Sequence, residues 1–256
     1  MSGADSRELA NLSQSLRRRA NKTSVVIAVD LANYIMSNDL PDGATLPNEK
    51  EMADELGVGR TSIREALRLL ETRGLLQIRS GPGGGPTVRR PEPSEFASAV
   101  EFALQVERAA LAEVLRARED LSPFAARLAA NRASTEQVKA LGEVLERLRS
   151  GMADDATFAS EGRGFEALVA EAGGNVVVRL MADSLVAILW DTIPHIDYPL
   201  ARRRAVVRSL EQVFDAIAER DADGAEKAME RYVRNGARYW RKSYPDLMKR
   251  LIRWTG

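Results

Sequence analysis

The chain has 256 residues, no cysteine, 45% hydrophobic and 29% charged side chains, and 37 basic residues matched by 37 acidic ones. That length holds one large or two modest domains, either able to bury a core. The lack of cysteine excludes disulfides and thiolate-ligated metal and fits a reducing cytoplasm. No apolar run reaches the roughly 20 residues that span a bilayer, so the expectation is a cytoplasmic protein with no membrane partner.

Residues 1–22 are polar, with Leu9, Leu12 and Leu16 at helical spacing before Arg17-Arg18-Arg19. They read as a partly ordered arm, and they lack the apolar core of a secretory signal. Thr23 or Ser24 can cap a helix running to about Ser37, ended by Asn38-Asp39 and Pro41-Asp42-Gly43. Asn48 with Glu51 three residues later forms a capping-box signature. The spacing then predicts a helix over Glu49–Leu56 with Met52, Ala53 and Leu56 inward. Gly57 and Gly59 supply a turn, and a further helix runs from about Thr61 to Thr72. Its inward stripe is Ile63, Ala66, Leu67 and Leu70, and its opposite face carries Arg60, Ser62, Arg64 and Arg68. Two short helices joined by a tight turn, the second opening on side chains suited to phosphates and base edges, are a helix-turn-helix pattern.

Gly74 stops that helix. Leu75–Arg79 and Thr87–Arg89 read as two strands flanking the glycine-rich loop Ser80–Pro86, which predicts a wing; an interdomain linker is the alternative. Residues 60–90 hold seven arginines against two glutamates, Glu65 and Glu71. Such local positive charge is the footprint expected where phosphates are met.

Arg90–Ser94 looks like a linker. Beyond it helical patterns follow one another over about 95–107, 110–132, 134–149, 154–172, 175–193, 202–220 and 222–243. Pro123 is expected to bend or restart the second of these. The fold class expected is mainly α: a winged helix-turn-helix of three helices and two strands, then a bundle of six or seven helices. The domains expected are an arm over 1–22, a DNA-binding domain over 23–90, a linker over 91–95, a helical effector-binding and dimerisation domain over 96–243, and a tail over 244–256.

The stretch PDGATLPNEKEMADELGVGRTSIREALRLLETRGLL, with EALVAEAGGN and AIAERDADGAEKAM further on, resembles the GntR superfamily of bacterial regulators, in its FadR branch with an FCD ligand domain. The resemblance covers about residues 24–243. It departs at Asn48 and Gly59, where the family usually has Ser. It implies a homodimer that binds near-palindromic, double-stranded operator DNA and is modulated by a small organic effector. Carried over residue by residue, it places Lys50, Arg60, Thr61, Ser62, Arg64, Ser80 and Gly81 at DNA. Arg fits guanine bidentately, whereas Thr and Ser reach phosphates or methyl groups. Arg60 and Arg64 are therefore expected on bases, and Lys50 and Thr61 on phosphates.

Many FCD domains bind a divalent metal through one Asp and three His. The resemblance puts Gly162, Glu166, Leu210 and Tyr232 at those four positions. The chain's single histidine, His195, lies in a proline-rich loop, so neither metal nor cofactor is expected. Arg118 aligns with an arginine that relatives aim at an effector carboxylate; an intrahelical pair, for example with Ser122, is the alternative. With Leu210 and Tyr232 replacing metal ligands, the expected ligand-binding set is Arg118, Glu166, Leu210 and Tyr232. It would take an organic acid, with a fatty acid or acyl-CoA as the larger, greasier candidate. The second reading is a constitutive DNA-binding protein whose degenerate C-terminal domain only dimerises. An enzyme is not expected: no nucleophile elbow, P-loop or catalytic constellation is present.

Overall fold

The computed structural model describes residues 23–79, 81, 85–90, 93–193 and 198–254. The expected arm over 1–22, Ser80 and His195 lie outside the described residues. The chain divides into two compact units, Met1–Glu95 and Phe96–Gly256.

In the first unit, α1 spans 23–37, α2 spans Glu49–Leu56 and α3 spans Arg60–Thr72. The Asn48 side chain accepts from the backbone N–H of Lys50 and Glu51, both at 3.0 Å, and the Glu51 carboxylate accepts the Asn48 N–H at 3.0 Å. This capping box satisfies amides that the first turn of α2 would leave orphaned. Gly57 ends α2 at φ +64°, a left-handed conformation that costs glycine little. Ile27, Ile35, Met52, Ala53, Ile63, Ala66, Leu67 and Leu70 close into one core with Leu75, Leu76 and Val88.

Leu56 departs from expectation. It is half exposed, because α2 ends beside it, and it borders a surface groove with Val26, Leu31 and Tyr34.

Strands β1 (Leu76–Ile78) and β2 (Pro86–Val88) pair antiparallel with Leu76 opposite Val88 and Ile78 opposite Pro86. The expected wing is therefore a hairpin. The segment 43–46 lies along its other edge: Gly43 and Leu46 N–H donate to the Val88 and Pro86 carbonyls, and Val88 N–H donates to Ala44. Without that segment, β2 would leave a row of backbone groups unpaired.

Among the described residues, the second unit is built of helices, with one isolated antiparallel bridge between Ala110 and Leu251. Helix α4 (Pro93–Val106) leads into it, followed by α5 (Leu111–Arg132), α6 (Thr135–Ser150), α7 (Asp155–Ala172), α8 (Val176–Thr192), α9 (Leu200–Ala218), α10 (Ala222–Ser243) and a single turn, α11 (Pro245–Met248). Its core includes Leu115, Leu141, Leu148, Phe165, Ile188, Leu210, Ile217 and Val233. Helix α5 runs unbroken through Pro123. Proline removes one backbone hydrogen bond, and packing of α5 against α8 and α10 on its buried flank keeps the helix continuous.

Residues 244–254, expected as a tail, are part of this unit. Ile252 is 1% exposed, and its N–H donates to the Ala109 carbonyl at 2.9 Å. Leu111 N–H donates to the Arg250 carbonyl at 2.9 Å, and the Trp254 indole N–H donates to Ser98 at 2.6 Å.

Candidate DNA-reading face and effector cavity

Helix α3 sorts its side chains by face. Ile63, Ala66, Leu67 and Leu70 are buried, whereas Arg60, Thr61, Arg64 and Arg68 are exposed and Ser62 is half-buried. Gly59 stands at the N-cap and, having no side chain, makes no cap hydrogen bond. Ser62 N–H donates to the Gly59 carbonyl at 3.0 Å, which leaves the Arg60 and Thr61 amides, without a backbone partner among the described residues, to an external acceptor such as a phosphate oxygen. Lys50 is exposed in the first turn of α2. Gly81, exposed at φ +109°, lies in the loop joining the two wing strands.

Arg64 is not free. Its Nε donates to both oxygens of Glu49, at 3.0 and 3.1 Å, and Nη2 donates to Oε2 at 2.7 Å. The hydrogen bonds from Arg64, reinforced by the charges of Arg64, Arg68 and Arg60, hold the Glu49 carboxyl below its ordinary range despite partial burial. No pattern within either helix signals this pair, because its members lie 15 residues apart.

In the helical unit a cavity of about 80 Å³ is lined by Arg118 of α5, Gly162 and Glu166 of α7, Trp190 of α8, Arg202 and Ser209 of α9, and Tyr232 and Asn235 of α10. Of the four expected ligand residues, Arg118, Glu166 and Tyr232 meet here. Leu210 does not line the cavity: it is fully buried in the core, one residue along α9 from Ser209 and hence turned about 100° away.

The Arg118 guanidinium donates through Nε and Nη2 to the Glu166 carboxylate at 2.7–3.1 Å. The Tyr232 hydroxyl donates to Glu166 Oε1 at 2.8 Å, and the guanidinium sits 5.6 Å from the Tyr232 ring centre. The two charged side chains are 9% and 10% exposed. Arg118 thus joins α5 to α7, and no intrahelical pair with Ser122 is among its described hydrogen bonds. Burial opposes its charge, but Glu166 together with Tyr232 more than reverses that and raises Arg118 above its ordinary range. Burial, followed by the neighbouring Glu166 charge, raises the Tyr232 hydroxyl well above its usual value.

A divalent ion does not fit these residues. Gly162 offers no donor, Leu210 is apolar and turned into the core, and the oxygens of Glu166 are engaged by a guanidinium and a phenol. Among the described residues no group of three or more His, Cys, Asp or Glu converges.

Sequence reasoning missed Arg202. Its Nη2 donates to the Asn235 carbonyl at 2.6 Å, its guanidinium lies 4.9 Å from the Tyr239 ring centre, and its buried Nε has no hydrogen-bond partner among the described residues. A buried N–H left without an acceptor is costly. The only hint in the sequence is the run Arg202-Arg203-Arg204, which does not reveal that its members separate. Arg203 is buried and donates to the Tyr198, Met152 and Ala153 carbonyls, fixing the wall of the cavity that carries Tyr198.

Residues 23–84 match the model of the bacterial regulatory proteins of the gntR family, and residues 113–235 match the FCD domain. The HTH-type transcriptional repressor NanR of Klebsiella aerogenes is 30% identical over 240 residues, covering 90% of this chain and 91% of that protein. The chain belongs to the GntR family. NanR of Salmonella newport is 31% identical over 242 residues, with 90% and 91% of the two chains covered. An uncharacterized HTH-type transcriptional regulator of Mycobacterium tuberculosis, Rv0494, is 39% identical over 121 residues, 47% of this chain and 49% of its own. Among solved structures, Streptococcus agalactiae GntR superposes with a TM-score of 0.65 at 22% identity over 84% of this chain and 99% of its own, a likeness of fold. The GntR-family member described here is a DNA-binding regulator with an FCD domain, and its relatives are regulators of transcription. No helix among the described residues is long and apolar enough to cross a membrane.

Proposed function

We propose that this GntR-family protein is a homodimeric repressor that reads one operator half-site per subunit and responds to a small organic acid in the helical unit. The observation that carries the DNA half is the sorting of α3. Arg60, Thr61, Arg64 and Arg68 stand exposed opposite a stripe buried to 4% exposure or less. Arg60 and Arg64 are assigned to base edges, Lys50 and Thr61 to phosphates, Ser62 to either, and the wing residues Ser80 and Gly81 to the adjacent groove. Two such readers held by a dimer would meet successive major grooves of a near-palindrome. The repressor reading rests on the relatives named NanR.

For the effector, size and polarity argue together. A cavity of about 80 Å³, on a measure where one water needs roughly 10–15 Å³, has room for several waters or a small acid. Its polar lining of Arg202, Ser209 and Asn235 suits a small acid better than the fatty acid or acyl-CoA expected from the apolar replacements. Arg118 is engaged by Glu166, so the carboxylate of an incoming acid is assigned to the guanidinium of Arg202, which lines the cavity with Ser209 and Asn235.

The test uses the full chain and a duplex selected from a random pool by its binding. Arg64→Ala should cost about 1–3 kcal/mol per half-site at one base pair. Lys50→Ala should weaken all duplexes alike and flatten the salt dependence. Full sequence discrimination by Arg64→Ala would refute the placement. For the effector, thermal shifts with small hydroxy and dicarboxylic acids should appear in the parent protein and vanish in Arg202→Met; a response confined to acyl-CoA would overturn the assignment. The second reading, a constitutive DNA-binding protein whose helical domain only dimerises, is favoured by the engagement of Arg118 with Glu166. It predicts operator affinity unchanged by any acid.

A further inference from the structure

The reading helix carries an exposed arginine whose best-placed donors face a carboxylate on the preceding helix. Glu49 is the first residue of α2 and Arg64 the fifth of α3. Their side chains are 32% and 54% exposed, so both lie on the surface that would face DNA. A guanidinium has five N–H donors arranged along two useful edges. The edge formed by Nε and Nη2 points at Glu49, with all three contacts between 2.7 and 3.1 Å. The edge formed by Nη1 and the remaining Nη2 hydrogen has no partner among the described residues.

Guanine recognition needs two donors aimed together at O6 and N7. An unpaired arginine can present either edge and can equally fold back onto a phosphate. With Glu49 in place, only the terminal edge is available and the side chain is held in one direction before DNA arrives. The carboxylate also offsets the charge of Arg64 where non-specific binding would use it, because that mode draws on cation-phosphate pairing alone. The hydrogen bonds from Arg64, with the charges of Arg64, Arg68 and Arg60, hold the Glu49 carboxyl below its ordinary range and keep it ionised.

We propose that Glu49 is a positioning residue for DNA specificity, fixing Arg64 to read guanine through its terminal edge and suppressing binding to non-operator DNA. The proposal rests on Arg64 being a base reader. Glu49 makes no direct base contact in this scheme.

The experiment measures affinity of the full-length protein, Glu49→Gln, Glu49→Asp, Arg64→Ala and the Glu49→Gln/Arg64→Ala double variant. The probes are the selected duplex, its single-base-pair variants and a shuffled duplex, across a salt series. Asn48 and Glu51 keep the α2 cap intact in every variant, and a circular-dichroism melt checks the fold. Glu49→Gln should bind the shuffled duplex several-fold more tightly, with a log-log salt slope steeper by about 0.9, the value of one more phosphate contact on B-DNA. Its discrimination at the base pair read by Arg64 should fall about tenfold or more. Glu49→Asp keeps the charge but has a shorter reach, so it should restore weak shuffled-duplex binding without restoring discrimination. The double variant should match Arg64→Ala at that base pair.

If Arg64→Ala loses discrimination while Glu49→Gln keeps the parent profile, Glu49 does not position Arg64 and the inference falls alone. If Arg64→Ala itself keeps discrimination, the reading of α3 falls with it. Equal loss on every duplex for Glu49→Gln would reduce Glu49 to a structural pair and also overturn the proposal.

Discussion

Replacing Glu166 with glutamine removes the charge that compensates Arg118 inside the helical unit. The pair is 9% and 10% exposed, joined by contacts of 2.7–3.1 Å and by a Tyr232 hydroxyl at 2.8 Å. Leaving one member of a buried pair uncompensated costs about 3–5 kcal/mol. Glutamine retains one acceptor, which places the expected loss near the lower end, at about 3 kcal/mol. For a unit of this size, each kcal/mol moves the midpoint by about 2–4 °C, so the melt should fall by about 6–12 °C. Trp190, Trp240 and Trp254 all lie in the second unit, so tryptophan emission follows that unit without signal from the DNA-binding half. The companion Arg118→Met/Glu166→Met removes both charges and replaces them with apolar groups. It should stay within about 1 kcal/mol of the parent or exceed it, because desolvation offsets much of what a buried pair gains. A Glu166→Gln midpoint within about 1 °C of the parent would refute the reasoning, as would a double variant as unstable as the single.

Asn48→Ala removes the side-chain acceptor for two amides of α2 and should cost about 1 kcal/mol, read as faster amide exchange in Glu49–Leu56. Gly74→Ala places a side chain at φ +72°, where a Cβ would overlap the Glu95 carboxylate; the backbone alone should cost about 1–2 kcal/mol, seen as faster exchange across β1. Glu101 is held above the ordinary carboxylate range, first by burial and then by the charge of Asp191. An acid raised on folding binds more protons folded than unfolded, so its contribution to stability falls as pH rises from its unfolded value, 4.5, through its folded one. Glu101→Gln should therefore gain on the parent in urea midpoint between about pH 4 and about pH 7; a constant gap would count against it.

Much of the architecture is local and was legible. The box at Asn48 and Glu51, the glycines at 57 and 74 and the 3.6-residue stripe of α3 each act within a few residues, and α2 falls where the spacing puts it. The bundle helices follow because their breaks carry Gly, Asn or Ser signals. What escaped depends on distant partners. Leu56 fits the helical stripe of Met52 and Ala53, yet no element among the described residues covers the last turn of α2. Leu210 occupies an aligned ligand position, but rotation along α9 gives the cavity to Ser209. Arg118 finds its partner 48 residues away, and Arg202 is distinguished from Arg203 only by what surrounds each. The segment 244–254 lacks helical periodicity and reads as a tail because its fit depends on carbonyls and amides at residues 109–111.

The junction between Ile252 and Ala109 has a consequence for synthesis. The backbone bonds from Ile252 to Ala109 and from Leu111 to Arg250 join the entrance to α5 to residues 143 and 139 positions later. While the chain emerges from the ribosome, the winged half has all its own core residues long before that junction can close. Its reading helix can therefore form on a nascent chain whose helical unit is still open at the entrance to α5. Only after Ile252 clears the exit tunnel can the two ends of that unit meet, so the winged half completes its core before the helical unit can close.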